Sequence, residues 1–182
     1  MARPSRTDPD AWVDAAYTRF CTEGLGGVRI EAVARDLGAT KGSYYWHFAD
    51  RRALVDAVMA RWEFEETDRY IDESGVEPDP RRRIETLFSA VGRRRPPGED
   101  RLYMAAVAEG VGDVVERVTR RRIDYVADAL VEYGIPRTEA EHRALISVTS
   151  VLGLEQLAQG GAASVIPGRG ELTETMIAFM FS

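Results

Sequence analysis

The sequence predicts an all-α fold. Apolar residues recur at three- and four-residue spacing along nearly the whole chain. No run alternates apolar and polar residues convincingly with the period of two that a half-buried strand shows. Glycines, prolines and short polar side chains stand where they would start and stop about nine helices.

The elements follow in order. Asp8 is an N-cap and Pro9 suits the first helical position, where no backbone N–H is needed. Trp12, Ala16 and Phe20 then recur every four residues, with Val13 and Tyr17 beside them, and Gly24 closes the helix. Gly26-Gly27 is a break. A short helix covers about Ile30 to Leu37, and Gly38 suits its left-handed end. Thr40 caps a very short helix through Tyr45, and Asp50 caps a long one. The long helix carries Leu54, Val55, Val58, Met59 and Trp62 on its inner stripe and extends to about Asp72. Ser74 to Pro80 interrupts it. Ile84, Leu87, Phe88 and Val91 mark the next helix, which ends in Arg93-Arg94-Arg95-Pro96-Pro97-Gly98. A short helix spans Asp100 to Ala108, and a long one runs from Val111 to Tyr133 and stops at Gly134. Thr138 with Glu141 reads as a capping box opening a helix through about Ala158. Gly160-Gly161 and Pro167-Gly168 bound a loop, and Glu171 to Phe181 is the last helix.

Composition narrows the function. The chain has 182 residues, 24 basic and 30 acidic side chains and a net charge of −6, with Lys41 as its one lysine. Acidity argues against indiscriminate nucleic-acid binding. It is unevenly placed, however: residues 1–62 carry +1 and residues 63–182 carry −7. The single cysteine, Cys21, excludes an internal disulfide and a cysteine-rich zinc site, and it reads as a small core residue. His47 and His142 are the two histidines and have no cysteine partner, so no metal or other cofactor is expected. Glu65 and Glu66 are adjacent on a helix and do not share a face, and no nucleophile–base set accompanies them, so no enzyme is expected. The runs Arg81–Arg83 and Arg93–Arg95 read as solvated surface. The most apolar stretch, Ala144 to Leu154, is shorter than the roughly 20 residues that span a bilayer. No apolar leader follows MARPSRTD. The expectation is a cytoplasmic protein with no membrane partner.

Residues 30–48, IEAVARDLGATKGSYYWHF, carry the chemistry. A short helix, a glycine turn and a shorter helix make a helix-turn-helix pattern. Ala34 is small enough for the second helix to cross closely. That second helix is too short to stand alone and needs its neighbours. Lys41, Ser43 and Tyr44 are its expected exposed residues, the donor and stacking types that suit a DNA groove.

The segment resembles the DNA-binding domain of the tetracycline-repressor-like (TetR/AcrR) family of bacterial transcription regulators. The resemblance rests on Val33-Ala34, on Leu37-Gly38-Ala39-Thr40-Lys41-Gly42-Ser43-Tyr44-Tyr45-Trp46-His47-Phe48 and on the charged start Asp50-Arg51-Arg52-Ala53-Leu54. It covers roughly residues 10–62. It implies that Thr40, Tyr45, His47 and Arg51 hold the DNA backbone and that Lys41, Ser43 and Tyr44 face bases or nearby phosphates. Two positions depart from the family pattern. Arg29 stands where the family often has threonine; it would reach a phosphate by charge without capping the helix. Tyr44 replaces the usual aliphatic residue, which leaves it open as a core position or a base reader.

The resemblance also implies a helix-turn-helix domain over 1–50 and an effector-binding and dimerisation domain over 51–182, connected by the helix near 50–72. The helix from Thr138 to Ala158 is apolar on nearly every side, as a helix buried on both sides would be. The homodimer would then pair it with the last helix through Leu145, Val148, Leu152, Leu172, Met176 and Phe179. Trp62, Phe88, Tyr103, Met104, Val107, Tyr125 and His142 are the candidates for the effector pocket, each also suited to the core. They would favour a small apolar or aromatic effector. The function implied is a repressor released from a palindromic operator by that effector. The alternative is a dimeric small-molecule-binding protein or adaptor without sequence-specific DNA binding.

Overall fold

The computed structural model describes residues 8–93 and 98–182. Among the described residues all regular structure is helical: α1 Pro9–Glu23, α2 Ile30–Asp36, α3 Lys41–Tyr44, α4 Arg51–Glu63, α5 Arg69–Gly75, α6 Pro80–Arg93, α7 Glu99–Ala105, α8 Gly112–Tyr133, α9 Arg137–Leu157 and α10 Arg169–Met180. The long helix expected from Asp50 to about Asp72 is divided into α4, a π-turn at Phe64–Asp68 and α5. Part of the predicted loop after α9 is helical as well, a π-turn at Ala158–Ala162 and a 3₁₀ turn at Ala163–Val165. Of the arginine–proline run predicted to end α6, residues 94–97 lie outside the described residues.

Three expected caps form. The side chains of Asp8, Thr40 and Asp50 accept from the amides of Asp10, Ser43 and Ala53. Gly38 has φ +61, the left-handed conformation that lets α2 stop and the chain reverse. The predicted capping box at Thr138 and Glu141 does not form. Proline 136 precedes the first helical residue and its carbonyl accepts from the Ala140 amide, so α9 starts earlier and Thr138 falls inside the first turn.

The chain forms two compact units. The first comprises residues 8–65 with 98–115. It reaches past residue 50 because α4 packs on α1 and so belongs with the head. Trp12, Ala16 and Phe20 of α1 are buried, as are Val33 and Ala34 of α2 and Leu54, Val58, Met59 and Trp62 of α4. Arg19 of α1 clamps Asp36 of α2, Nε to Oδ2 at 2.5 Å and Nη2 to Oδ1 at 3.0 Å. The bond from Arg19 holds the Asp36 carboxyl below the usual carboxylate range.

Tyr44 is fully buried in this unit. Its ring meets the Trp12 ring edge-on at 5.3 Å and stacks on Phe48 at 5.3 Å. Its hydroxyl donates to the Asp50 carbonyl. Burial pushes the phenol up to about 12, so it remains a donor across neutral pH. The reading of Tyr44 as a base reader is therefore corrected: no part of the side chain reaches solvent, and the position is core.

The second unit comprises residues 66–93 with 116–182. Its core joins Tyr70 of α5, Ile84, Leu87 and Phe88 of α6, Val126 and Leu130 of α8, Ala140, Ala144 and Val148 of α9, and Ile177 and Met180 of α10. Arg122 of α8 secures the π-turn, donating to Thr67 Oγ1 at 2.9 Å and to the Glu66 carbonyl at 3.1 Å.

Two substitutions test the head core, read by urea denaturation. Tyr44→Phe deletes one buried hydrogen bond without a cavity and should cost about 0.5–1.5 kcal/mol. Trp12→Ala leaves a cavity and should cost about 3–5 kcal/mol. A Tyr44→Phe protein as stable as the parent would show that the hydroxyl contributes nothing net.

Candidate nucleic-acid interface

The candidate face is built on α2, the Gly38 turn and α3. Arg29 is the N-cap residue of α2, extended at φ −117 and ψ 133, exposed, and makes no side-chain capping bond. A guanidinium lacks the acceptor a cap requires. After Gly38 the chain enters α3, only four residues long. Thr40 Oγ1 accepts from the Ser43 amide at 3.2 Å, and the Ser43 hydroxyl donates to the Thr40 carbonyl at 2.7 Å. Ser43 is half-buried and locally engaged. The amides of His47 and Phe48 close onto the Tyr44 carbonyl, so the chain turns directly below the buried ring.

These bonds leave an exposed edge of Thr40, Lys41, Tyr45 and Trp46, with Tyr45 53% and Trp46 72% accessible. Lys41 Nζ pairs with Glu31 Oε1 at 2.5 Å. The bond raises the lysine pKa and lowers that of the carboxyl, so both are charged at neutral pH. His47 is half-buried beside this edge in sequence.

Arg51 sits differently from the expectation. It donates from Nε to the Val28 carbonyl at 2.7 Å and from Nη2 to the Leu25 carbonyl at 2.7 Å. Nη2 also meets Glu109 Oε2 at 2.9 Å. Its neighbour Arg52 donates to the Gly110 carbonyl at 2.7 Å. In this structure Arg51 is a strut that holds the turn leading into α2.

Sequence reasoning missed Trp46, Glu31 and Glu109. Trp46 lies within the aromatic run Tyr44-Tyr45-Trp46-His47-Phe48. Glu31 and Lys41 are ten residues apart and meet only because the Gly38 turn lays α3 across α2. The 58-residue separation of Arg51 and Glu109 leaves no local signal.

The effector candidates fall in both units. Trp62 is buried and Tyr103 half-buried in the first unit. Met104 and Val107 are 83% and 89% exposed, which corrects their reading as pocket walls, since a walled site encloses its lining. Tyr125 is held by a 2.8 Å hydroxyl contact with Ser74. His142 is exposed on α9. Phe88 does line a groove of about 600 Å³ within the second unit, between α6, α9 and α10. Its other walls include Ile146, Val151 and Leu154, together with the dimer candidates Leu172, Met176 and Phe179. Leu145 is exposed on α9, and Leu152 is half-buried against the core. Val148 is corrected: it is buried in its own unit's core and offers little surface to a partner.

Among the described residues no group of three or more His, Cys, Asp or Glu side chains is placed to hold a metal ion. No helix among the described residues is long and apolar enough to cross a membrane. The family model for bacterial regulatory proteins of the tetR family matches residues 13–58, from α1 into α4. The HTH-type transcriptional regulator SrpR of Pseudomonas putida is 35% identical over 48 residues, 26% of this chain and 22% of that protein. The match thus spans about a fifth of that relative's length. A TetR-like transcriptional regulator from Rhodococcus sp. RHA1 superposes with a TM-score of 0.70 at 20% identity, covering 100% of this chain and 96% of that one. Reduced NemR from E. coli superposes at 0.74 with 17% identity, covering 94% of each chain. At such identities the likeness is one of fold. Residues 13–58 thus match the DNA-binding head of bacterial regulatory proteins of the tetR family, and the chain as a whole shares the helical architecture of these solved structures.

Proposed function

We propose that the chain is an effector-responsive DNA-binding repressor acting in the cytoplasm as a homodimer. The observation that carries this is the exposed edge of Thr40, Lys41, Tyr45 and Trp46, held by a buried Tyr44 inside the family-matched segment. Two copies would place α3 in successive major grooves, about 34–36 Å apart, on a palindromic operator. Arg29, Thr40, Tyr45 and His47 would contact phosphates, which set position, and Lys41 with Ser43 would face base edges, which set sequence. Arg51 would act through the turn it holds. Residues 1–50 would be the DNA-binding part and 51–182 the part for effector and partner.

The second copy would pack on α9 and α10, where Leu145, Ile146, Leu157 and Phe179 are each about half exposed. The groove lined by Phe88 has the size of a small-molecule site and is mostly apolar, with hydroxyls from Ser147, Ser150 and Thr173. An apolar effector there would share walls with the subunit seam, so its occupancy and the spacing of the heads would be coupled. A hundredfold release of DNA needs about 2.7 kcal/mol of such coupling.

Duplexes selected from a random pool test the reading by fluorescence anisotropy. Nanomolar binding that falls steeply with salt is expected, and Lys41→Ala and Tyr45→Ala should each weaken it at least about tenfold. Unchanged binding in both would sink the assignment and favour the dimeric binder without DNA recognition. Arg51→Ala separates a strut from a phosphate contact. A strut loses affinity at an unchanged salt slope, whereas a lost phosphate contact shallows the slope by about 1. Phe179→Glu should shift the protein toward monomer in sedimentation at micromolar concentration; a wild-type monomer would overturn the dimer.

A further inference from the structure

An acidic side chain stands within the face assigned to DNA. Glu31 lies in the first turn of α2, and its side chain and that of Lys41 are 61% and 54% exposed. Its carboxylate crosses to α3 and takes the ammonium of Lys41, the chain's one lysine, at 2.5 Å. Arg29 lies near the same carboxylate, and Tyr45 lies near the ammonium. A first-turn acid is also favourable to α2 alone, through the partial positive charge at a helix N-terminus. That role does not require Lys41, whereas the observed geometry directs the carboxylate onto it.

Neither charge is buried, so the pair is not needed to neutralise an interior ion. An exposed pair in water is weak and exchangeable, and a duplex can compete for the ammonium. Phosphates are the most abundant competitors and carry no sequence information. A lysine left unpaired would strengthen binding to every duplex alike. A carboxylate beside it subtracts from that uniform attraction, because like charges facing each other disfavour the wrong partner. Only a duplex that presents an acceptor pair at the right base edge, such as guanine O6 and N7, replaces what the ammonium gives up.

We propose that Glu31 is a specificity-determining residue of the DNA face, restraining Lys41 from phosphates and releasing it to a matching base edge. The proposal rests on the DNA-binding reading above. Specificity here is a difference between affinities, obtained by weakening the wrong complexes.

The test uses the full chain, a duplex selected from a random pool and a scrambled duplex of equal length and composition. Anisotropy titrations at several salt concentrations compare the parent with Glu31→Gln, Glu31→Asp, Lys41→Ala and the double variant Glu31→Gln, Lys41→Ala. Glu31→Gln should bind the scrambled duplex about three- to tenfold tighter and steepen its salt slope by about 1, as one more cation becomes available. Binding to the selected duplex should change less than about twofold, so the preference narrows about three- to tenfold. Glu31→Asp keeps the charge on a shorter stem and should fall between the two. In the Lys41→Ala background the gain in slope should vanish. An unchanged preference in Glu31→Gln, or a gain that persists fully without Lys41, overturns the role of Glu31 alone. A parent that prefers no selected duplex overturns the DNA-binding reading and this proposal together.

Discussion

The head depends on the burial of Tyr44. A four-residue helix cannot meet its own nucleation cost, and α3 offers little beyond one turn. The ring of Tyr44, between Trp12 and Phe48, ties that turn to α1, and its hydroxyl ties it to the carbonyl of Asp50. Asp50 in turn caps α4. One side chain therefore sets the position of α3 relative to the helices before and after it. With Tyr44 directed inward, the adjacent Tyr45 and Trp46 are directed outward, and the exposed edge follows from the buried residue.

Electrostatics complete the arrangement. Residues 63–182 carry −7, and the head, at +1 over residues 1–62, is near neutral. Several head cations already have protein partners: Arg19 with Asp36, Lys41 with Glu31 and Arg51 with Glu109. Among the described residues the face is therefore no broad basic patch. The arginine bias has a structural use too. Arg51 and Arg122 each donate from more than one nitrogen to a backbone carbonyl and a second acceptor, a geometry the planar guanidinium provides and a single ammonium does not. The one lysine stands where a compact, exchangeable charge meets a carboxylate on the neighbouring helix.

The apolar surface of the second unit follows from the same economy of faces. One side of α9 is committed to its own core through Ala140, Ala144 and Val148, and Leu145, Ile146 and Leu157 remain on the other. An apolar helix of this kind is incomplete as a solvent-facing element. This supports subunit pairing there, beside a groove sized for a small molecule.

The helices and their caps were legible in the sequence, because three- and four-residue periodicity, Asp8, Thr40, Asp50 and Gly38 are local signals that local backbone geometry answers. The head motif was legible for the same reason, since its glycine turn and aromatic run lie within 19 residues of sequence, 30–48. The capping box at Thr138 was misread because Pro136, also local, competes to start α9. Met104 and Val107 look like core in the sequence and stand exposed, because periodicity marks an inner face without saying what that face meets. Sequence by itself determined the all-helical class, the order of elements and the segment that carries the family match. Only the tertiary structure decided that Tyr44 is core, that Arg51 holds a turn through Leu25, Val28 and Glu109, and that Lys41 is held by Glu31. The physical reason is that caps and turns are set by neighbours along the chain, whereas burial and ion pairing are set by neighbours in space.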